Sequence, residues 1–461
     1  MAQSLKRFMI VFALSLVLLT CFTFGACSNL SPFKDGPNAD DVVVGNGSLA
    51  VSKGDYLYFV NGFQNYSSVG DTNKEGKVTY SALYRIKLDE NGNPVSKDAE
   101  YDEDGNVIFD GSRALKDVDI LASKVVGFEY MGLYIFDDYI YYATPNNGVD
   151  KDLKTETQYV SFFKKKLDRS GDAELLYTTK AEGSKVTYSM LEFDGNVYLT
   201  VLDDSTLVVI KNGKDKKEIE NVTGAVFASY SKSIDVVTDF NKDIYYTRSI
   251  DSEKDPYENG NVLCKFSLSS MSGQDVFADD DSTFTLKAVS TTKLYYEKVV
   301  SSSGSSSATL WSISGVEDNK LLDEAQVTSN SYSNYYLLPD QANKVLVNTG
   351  SALRVIANGE PNTVYSGSAT VVGVNGNYVY FTTSDNKIMR ANYMSYAEAE
   401  TVVEENAFVG QANYVCVTDQ KVYYLSTDHT NNSKYLHEVD LETNEDYFVG
   451  VLEEADYDTE E

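Results

Sequence analysis

Asp138-Tyr139-Ile140-Tyr141-Tyr142 and Asn377-Tyr378-Val379-Tyr380-Phe381 are two copies of one motif, a polar turn residue followed by an uncharged run of aromatic and branched side chains. Such residues suit a pleated strand, and a run that is apolar at every position predicts a strand buried on both faces. The run recurs as Tyr56-Leu57-Tyr58-Phe59, Asn196-Val197-Tyr198-Leu199, Asp243-Ile244-Tyr245-Tyr246, Lys293-Leu294-Tyr295-Tyr296, Lys344-Val345-Leu346-Val347 and Lys421-Val422-Tyr423-Tyr424. The third positions are 58, 141, 198, 245, 295, 346, 380 and 423, and all but Leu346 are Tyr.

Each copy is preceded by an apolar stretch, such as Thr370-Val371-Val372-Gly373-Val374, and followed by a loop, a second strand, a turn and a shorter third run. Every unit therefore supplies four short strands, and nothing along the pattern has the period of a long amphipathic helix. Eight units over about 405 residues average about 50 each, the size of a four-stranded propeller blade. The expected fold is all-β, a single β-propeller over residues 49–453, with eight blades favoured over seven; the 83-residue gap from Tyr58 to Tyr141 is read as either a decorated first blade or a pair of blades split differently. A string of antiparallel sandwiches would instead repeat at about 100 residues. Pairing of residues 41–44 with 447–452 is expected to close the ring and leave no exposed edge strand.

The succession of the aromatic strand and Leu83-Tyr84-Arg85-Ile86-Lys87-Leu88-Asp89 resembles the YWTD-type propeller of low-density-lipoprotein-receptor-related proteins. More closely it is similar to an uncharacterised family of Gram-positive bacterial lipoproteins that carry a divergent domain of that type. The Trp-Thr-Asp half of the motif is absent, Tyr141-Tyr142-Ala143-Thr144 coming nearest to it. The resemblance implies the propeller fold and an envelope location, and no activity.

The N-terminus gives an address. Lys6 and Arg7 precede the apolar run from Phe8 to Leu19, then Phe24-Gly25-Ala26-Cys27, with no acid in residues 1–26. Basic, apolar, then small residues at a cut is the layout of a secretory signal. The Gly-Ala-Cys ending resembles a bacterial lipobox, which makes residues 1–26 a lipoprotein signal peptide and Cys27 the lipidated mature N-terminus. Cys21 is a rival site, and an uncleaved signal anchor a rival reading. Two acyl chains suffice for stable anchoring without a basic patch. Residues 27–48, rich in Pro, Gly, Asn and Asp, read as a lipid-anchored flexible tether spanning about 25 Å as a coil. The expected location is the extracytoplasmic face of a bacterial cell membrane.

The chain has 461 residues, 42% of them hydrophobic and 23% charged, enough apolar material for a sizeable core. Its 69 acids against 39 bases give a net charge of −30, which repels phosphate backbones and excludes nucleic acid as an expected partner. Beyond Cys21 and Cys27 only Cys264 and Cys416 remain, read as buried small hydrophobes, with a disulfide as the alternative.

Catalytic motifs are scarce. Two histidines, His429 and His437, cannot build a three-His metal site. His437 reads as structural within Tyr435-Leu436-His437-Glu438-Val439, whereas His429, in a polar loop, is a candidate ligand contact. Tyr66, Tyr80, Tyr159 and Tyr257 lie in or beside loops and are candidates for stacking on a sugar or peptide. Trp311 reads as packing. Asp102-Glu103-Asp104-Gly105-Asn106 has the oxygen-rich look of a Ca²⁺ loop but lacks its Gly at position 6, and it reads as a hairpin turn, like Asp89-Glu90-Asn91-Gly92-Asn93. No cofactor or metal site is assigned, Ca²⁺ having only this weak motif behind it. Ser301 to Ser307 reads as a flexible loop tip, and residues 454–461 as an acidic tail.

In a propeller the connections between second and third strands all emerge on one face. They are long in units one (61–79), two (145–160), four (250–261), five (300–308) and eight (427–434), and short in the others. Loops on a rigid scaffold are where recognition concentrates. The sequence thus favours a membrane-anchored, non-catalytic module that binds a protein, peptide or glycan at the cell envelope. The alternative is an extracellular carbohydrate-active hydrolase or lyase with a carboxylate and Tyr site in the central funnel, marked by inward-facing acids at corresponding blade positions.

Overall fold

In the computed structural model, residues 31–60, 63–64, 83–109, 111, 114–122, 132–145, 160–181, 186–226, 240, 242–280, 283–302, 305–338, 344–357, 360–405, 407, 415–426 and 433–450 are described. They form an eight-bladed β-propeller whose blades are antiparallel sheets with strands in chain order. Blade 1 comprises Ala50–Lys53, Tyr56–Val60, Leu83–Lys87 and Asp119–Ala122. Blade 2 has Tyr134–Phe136, Tyr139–Pro145, Val160–Lys166 and Glu174–Thr178. Blade 3 has Val186–Phe193, Asn196–Asp203, Thr206–Lys211 and Asp215–Ile219. Blade 4 has Val222–Val226, Ile244–Ser249, Asn261–Ser267 and Ser272–Phe277. Blade 5 has Thr285–Val289, Leu294–Ser302, Ser305–Ile313 and Ala325–Gln326. Blade 6 has Tyr335–Leu337, Lys344–Asn348, Ala352–Ala357 and Glu360–Ser366. Blade 7 has Thr370–Asn375, Tyr378–Thr382, Ile388–Asn392 and Glu400–Val403. Blade 8 has Val415–Val417, Lys421–Ser426, Ser433–Asp440 and Asp446–Val449.

Each of the eight aromatic runs is the second strand of its blade. The turns before these strands explain their Asp, Asn and Gly. Asp194 and Gly195 both take positive φ, 51° and 65°, as a two-residue hairpin matched to strand twist requires. The third and fourth strands of blades 1, 2, 4, 6 and 7 shift register near the start of the third strand. Such bulges increase twist and suit a blade that must splay outward from the axis.

The core is a ring of seams. Alternation along the second strand sends successive side chains to opposite neighbours: Val379 and Phe381 pack with blade 6, and Tyr380 with blade 8. The same rule holds for every third-position residue. Tyr141 faces blade 3, Tyr198 blade 4, Tyr245 blade 5, Tyr295 blade 6 and Leu346 blade 7. Tyr58 and Tyr423 enter one large cluster that joins blades 8, 1 and 2. All eight third-position side chains are buried.

Ring closure differs from the expectation. Val43–Val44 does not join the last blade; it pairs with Ser52 and Lys53, adding a strand beside the first strand of blade 1. Asp446–Val449 is the fourth strand of blade 8. Closure instead uses three contacts. Cys416, Tyr423, Leu425, Leu436 and Val449 pack into the blade 1 cluster. Phe63–Gln64, just beyond the second strand of blade 1, pairs with Ser433 and Lys434 of blade 8. On the opposite face, the buried Lys421 donates to Asn93 of blade 1 at 2.6 Å and to Asp440 at 2.8 Å, and pairs with Glu438 at 3.0 Å.

Residues 31–47, read from composition as part of a flexible tether, lie along the propeller. Phe33 is held between the guanidinium groups of Arg85 and Arg169, at 3.6 and 4.1 Å from its ring centre, and its amide donates to the carbonyl of Asp168. Arg169 donates to the Ser31 carbonyl, and Arg85 to Asp35 and Asp119. Tyr56 donates its hydroxyl to Asp35 at 3.0 Å. Asn46 then exchanges hydrogen bonds with the backbone of Ile135 in blade 2.

Burial works against the Lys421 ammonium, but Glu438 and Asp440 outweigh it and raise its pKa. Burial also opposes ionisation of Asp440, yet Lys421 and backbone amides hold it at about 2. Its ionised form therefore stabilises the fold above about pH 4, the unfolded value, and that contribution is lost as pH falls toward about 2. Lys421→Met would strand the Glu438 carboxylate inside the ring, and a loss of about 3–5 kcal/mol is expected by denaturant unfolding. Adding Glu438→Leu should restore part of it, because the fully buried carboxylate is then gone while Asp440, left without Lys421, keeps the amides of Glu442 and Thr443.

Candidate functional site

Second strands run toward the face that carries the connections between second and third strands and between blades, here called the upper face. First-to-second and third-to-fourth turns lie on the lower face. Connections on the upper face are stapled to the blades by side chains at strand ends. The buried Asp203 accepts from the Tyr177 hydroxyl and the amides of Lys180 and Ala181 at 2.7–2.9 Å, fixing the link between blades 2 and 3. Asn261 exchanges two hydrogen bonds with the backbone of Phe284, and Asn348 donates to the Ala369 carbonyl at 2.6 Å.

The long connection of blade 4, residues 250–260, is built around Arg248. Its guanidinium makes a bidentate pair with Asp255 at 2.8 and 2.9 Å and a second with Asp275 at 3.1 and 2.6 Å, and donates to the carbonyl of Ser249. Asp255 accepts in addition from the Asp251 amide, and Lys254 pairs with Asp251 at 2.7 Å. The Arg248 hydrogen bonds hold the Asp255 carboxyl at about 2. Glu258 donates its amide to Asp280, tying this loop to the connection between blades 4 and 5. Tyr257 sits on the loop half-buried, packed against the core shared by blades 3 and 4. It is thus partly a packing residue.

Blade 5 corrects one expectation. Ser301 to Ser307 is not a loop tip over its described residues: the second and third strands pair in continuous register from Leu294↔Ile313 to Ser302↔Ser305. The first strand reaches only as far as Glu297. The five residues beyond, 298–302, carry the hairpin about 16 Å past it at the rise of a strand. Val299 on this hairpin is 53% exposed.

Glu297 marks where the blade 5 hairpin leaves the ring. Lys287 pairs with it at 2.8 Å, and the Tyr335 hydroxyl donates to it at 3.0 Å from the first strand of blade 6. The corresponding positions of the other blades are Val60, Ala143, Thr200, Thr247, Asn348, Thr382 and Leu425, so an acid stands here in one blade of eight. The recurrence of inward acids that would mark a hydrolase funnel is not found at this position.

Of the sequence candidates, Tyr257 alone lies among the described residues; Cys27, Tyr66, Tyr80, Tyr159 and His429 lie outside them. His437 contacts Asp446 through Nδ1 at 3.0 Å and packs between Tyr424 and Phe448, a structural setting. Trp311 donates Nε1–H to Thr309 and carries Lys298 over its ring. Cys264 and Cys416 are buried and are not joined in a disulfide, and burial pushes the Cys264 thiol up to about 12. Asp102 takes the amides of Asp104 and Asn106 on one carboxylate oxygen, and Asp89 those of Asn91 and Asn93, as hairpin turns do. Among the described residues no group of three metal-ligating side chains converges. Sequence reading missed the Arg248 lock, since an Arg followed seven residues later by Asp carries no recurring signal.

No family model matches the chain, and no curated protein matches it. Solved propeller-containing structures do. A puromycin-hydrolyzing peptidase of Mycobacterium tuberculosis aligns at 11% identity over 70% of this chain and 53% of its own, with a TM-score of 0.43. The acylaminoacyl peptidase of Pyrococcus horikoshii aligns at 12% identity over 58% and 46%, with a TM-score of 0.37. TolB from Acinetobacter baumannii aligns at 10% identity over 68% and 80%, with a TM-score of 0.31. The chain spans about half the length of the peptidases it resembles, and the likeness is one of fold.

Asp255→Ala should free residues 250–256 while Arg248 keeps Asp275. Amide exchange in that segment is expected to accelerate by about 10- to 100-fold, the equivalent of one charged hydrogen-bonded contact, with the strands of blade 4 unchanged. Unchanged exchange would mean that Arg248 does not hold the loop.

Proposed function

We propose that this chain is a lipid-anchored protein of the extracytoplasmic face of a bacterial cell membrane, whose propeller binds an envelope protein, peptide or glycan without transforming it. The observation that carries the reading is the upper face. There the connection of blade 4 is pre-ordered by Arg248 and the blade 5 hairpin stands clear of its own sheet, while blades 3, 6 and 7 turn back within a few residues. Pre-ordering lowers the entropy cost of binding, and a projecting element offers side chains and backbone that the blade itself does not use. The signal-like residues 1–26 and the Gly25-Ala26-Cys27 ending support the address. The net charge of −30 supports partners other than nucleic acid.

The test is capture from envelope extract on immobilised residues 28–461, read by mass spectrometry and glycan analysis. One envelope protein, peptide or glycan recovered in stoichiometric amount is expected. Deletion of residues 65–77 and 146–156, together with Asp255→Ala, should weaken capture at least about tenfold, since interface energy is concentrated in few contacts. Capture indifferent to all three changes would refute the assignment to this face. Robust turnover of a glycoside or polysaccharide panel, abolished by Glu297→Gln, would replace it with the catalytic alternative.

A further inference from the structure

The segment that follows Cys27 is docked on the lower face at its outer rim, between blades 1 and 2. Ser31 accepts from Arg169, Phe33 fills the gap between Arg85 and Arg169, and Arg169 also donates to the Ile120 carbonyl in the fourth strand of blade 1. Four Cα steps separate Cys27 from Ser31, and whatever their conformation they span no more than about 14 Å. An acylated Cys27 would therefore hold this rim, and not merely the molecule as a whole, beside the lipid headgroups.

The charge beside the strap is unlike that of the rest of the chain. Lys164-Lys165-Lys166 ends the third strand of blade 2, and the adjoining turn of blade 3 reads Lys211-Asn212-Gly213-Lys214-Asp215-Lys216-Lys217. The tip of that turn packs on blade 2, with Gly213 against Leu176 and Lys164. Lys166, Lys214, Lys216 and Lys217 are exposed, Lys216 being paired with Glu218 at 2.8 Å. Asp168, Asp172, Glu174, Asp215 and Glu218 interleave with them, Glu174 pairing with Lys164 at 3.1 Å, and Asp137, Asp138 and Asp194 are exposed on the neighbouring lower turns. A chain of net charge −30 thus turns a lysine-rich sector toward the point where its strap leaves.

We propose that the lower rim of blades 2 and 3 is the membrane-facing surface, apposed to anionic phospholipid headgroups, and that the docked strap sets this orientation and points the upper face outward. Each Lys near an anionic surface contributes about 1 kcal/mol, but the interleaved acids offset most of this, so the sector lets the rim approach the headgroups while the strap contacts set the alignment. The inference rests on the lipid-anchored reading above.

The experiment uses the full-length protein in phosphatidylglycerol-containing membranes, with Cys21 replaced and the two buried thiols left in place. A maleimide fluorophore is attached at Lys214→Cys on the lower face or at Ser205→Cys on the upper face, with acceptor dye on lipid headgroups. The two positions are separated by the length of the third strand of blade 3, about 20 Å at strand rise. Transfer from position 214 is expected to be several-fold more efficient than from 205. In a Phe33→Ala, Arg169→Ala variant the two should become similar. Equal transfer in the parent, or a bias that survives loss of the strap contacts, would overturn the proposal while a diacylglyceryl mass on Cys27 shows the anchor intact. Absence of lipid on Cys27 would instead overturn the anchored reading and this one with it.

Discussion

The structure depends on one packing constraint: each blade is a sheet with two apolar faces, and neither can be covered except by another blade. The third-position residue of every second strand meets this demand in the same direction, toward the following blade. A buried Tyr removes a large aromatic surface from water, and truncating one to Ala leaves a cavity worth about 3–5 kcal/mol. Its hydroxyl must be accommodated too, and burial pushes the Tyr295 phenol up to about 12. An open arc of such blades would expose one complete apolar face at each end. Closure is therefore a condition of solubility as much as of stability.

That condition is met without the N-terminal strand completing the last blade. Residues before blade 1 could have completed blade 8, and Val43–Val44 instead reinforces the first strand of blade 1. The seam between blades 8 and 1 is held by apolar packing through its middle, the Phe63–Gln64 pairing above and the Lys421 cluster below. The upstream chain is thereby free to run along the lower face, where Phe33 and Asp35 meet Arg85 and Arg169. Architecture and the proposed attachment are linked through this single choice of strand partner.

The fold was legible because the constraint repeats. Eight runs at blade spacing, each with three consecutive uncharged aromatic or branched residues, cannot be half-exposed strands, and their third-position pattern, Tyr in all but Leu346, survives wide variation in the loops between them. Ring closure was not legible, since Asp41 to Val44 carries the same apolar signal whether it pairs with blade 8 or blade 1. The strap was missed for a related reason: Pro, Asn and Asp between Ser31 and Gly47 look like tether, and only the two Arg groups far along the chain give Phe33 a site. The serine-rich stretch of blade 5 was read by composition, whereas its continuous register extends a hairpin begun by Leu294 and Ile313. Of the candidate contacts, Tyr257 turned out to be anchored to the core as well as placed on the loop.

A rigid ring lets ordered connections on its upper face keep one arrangement, so the functional reading rests on the ring being one cooperative body. Native-state hydrogen exchange on the second strands tests this most directly. If the seams carry the fold, the amides of Lys421–Ser426 and Tyr56–Val60 exchange only by the same global opening as those of Ile244–Ser249, with one common dependence on denaturant. Earlier opening of blades 8 and 1, while blade 4 stays protected, would contradict a ring whose terminal seam holds as firmly as the others.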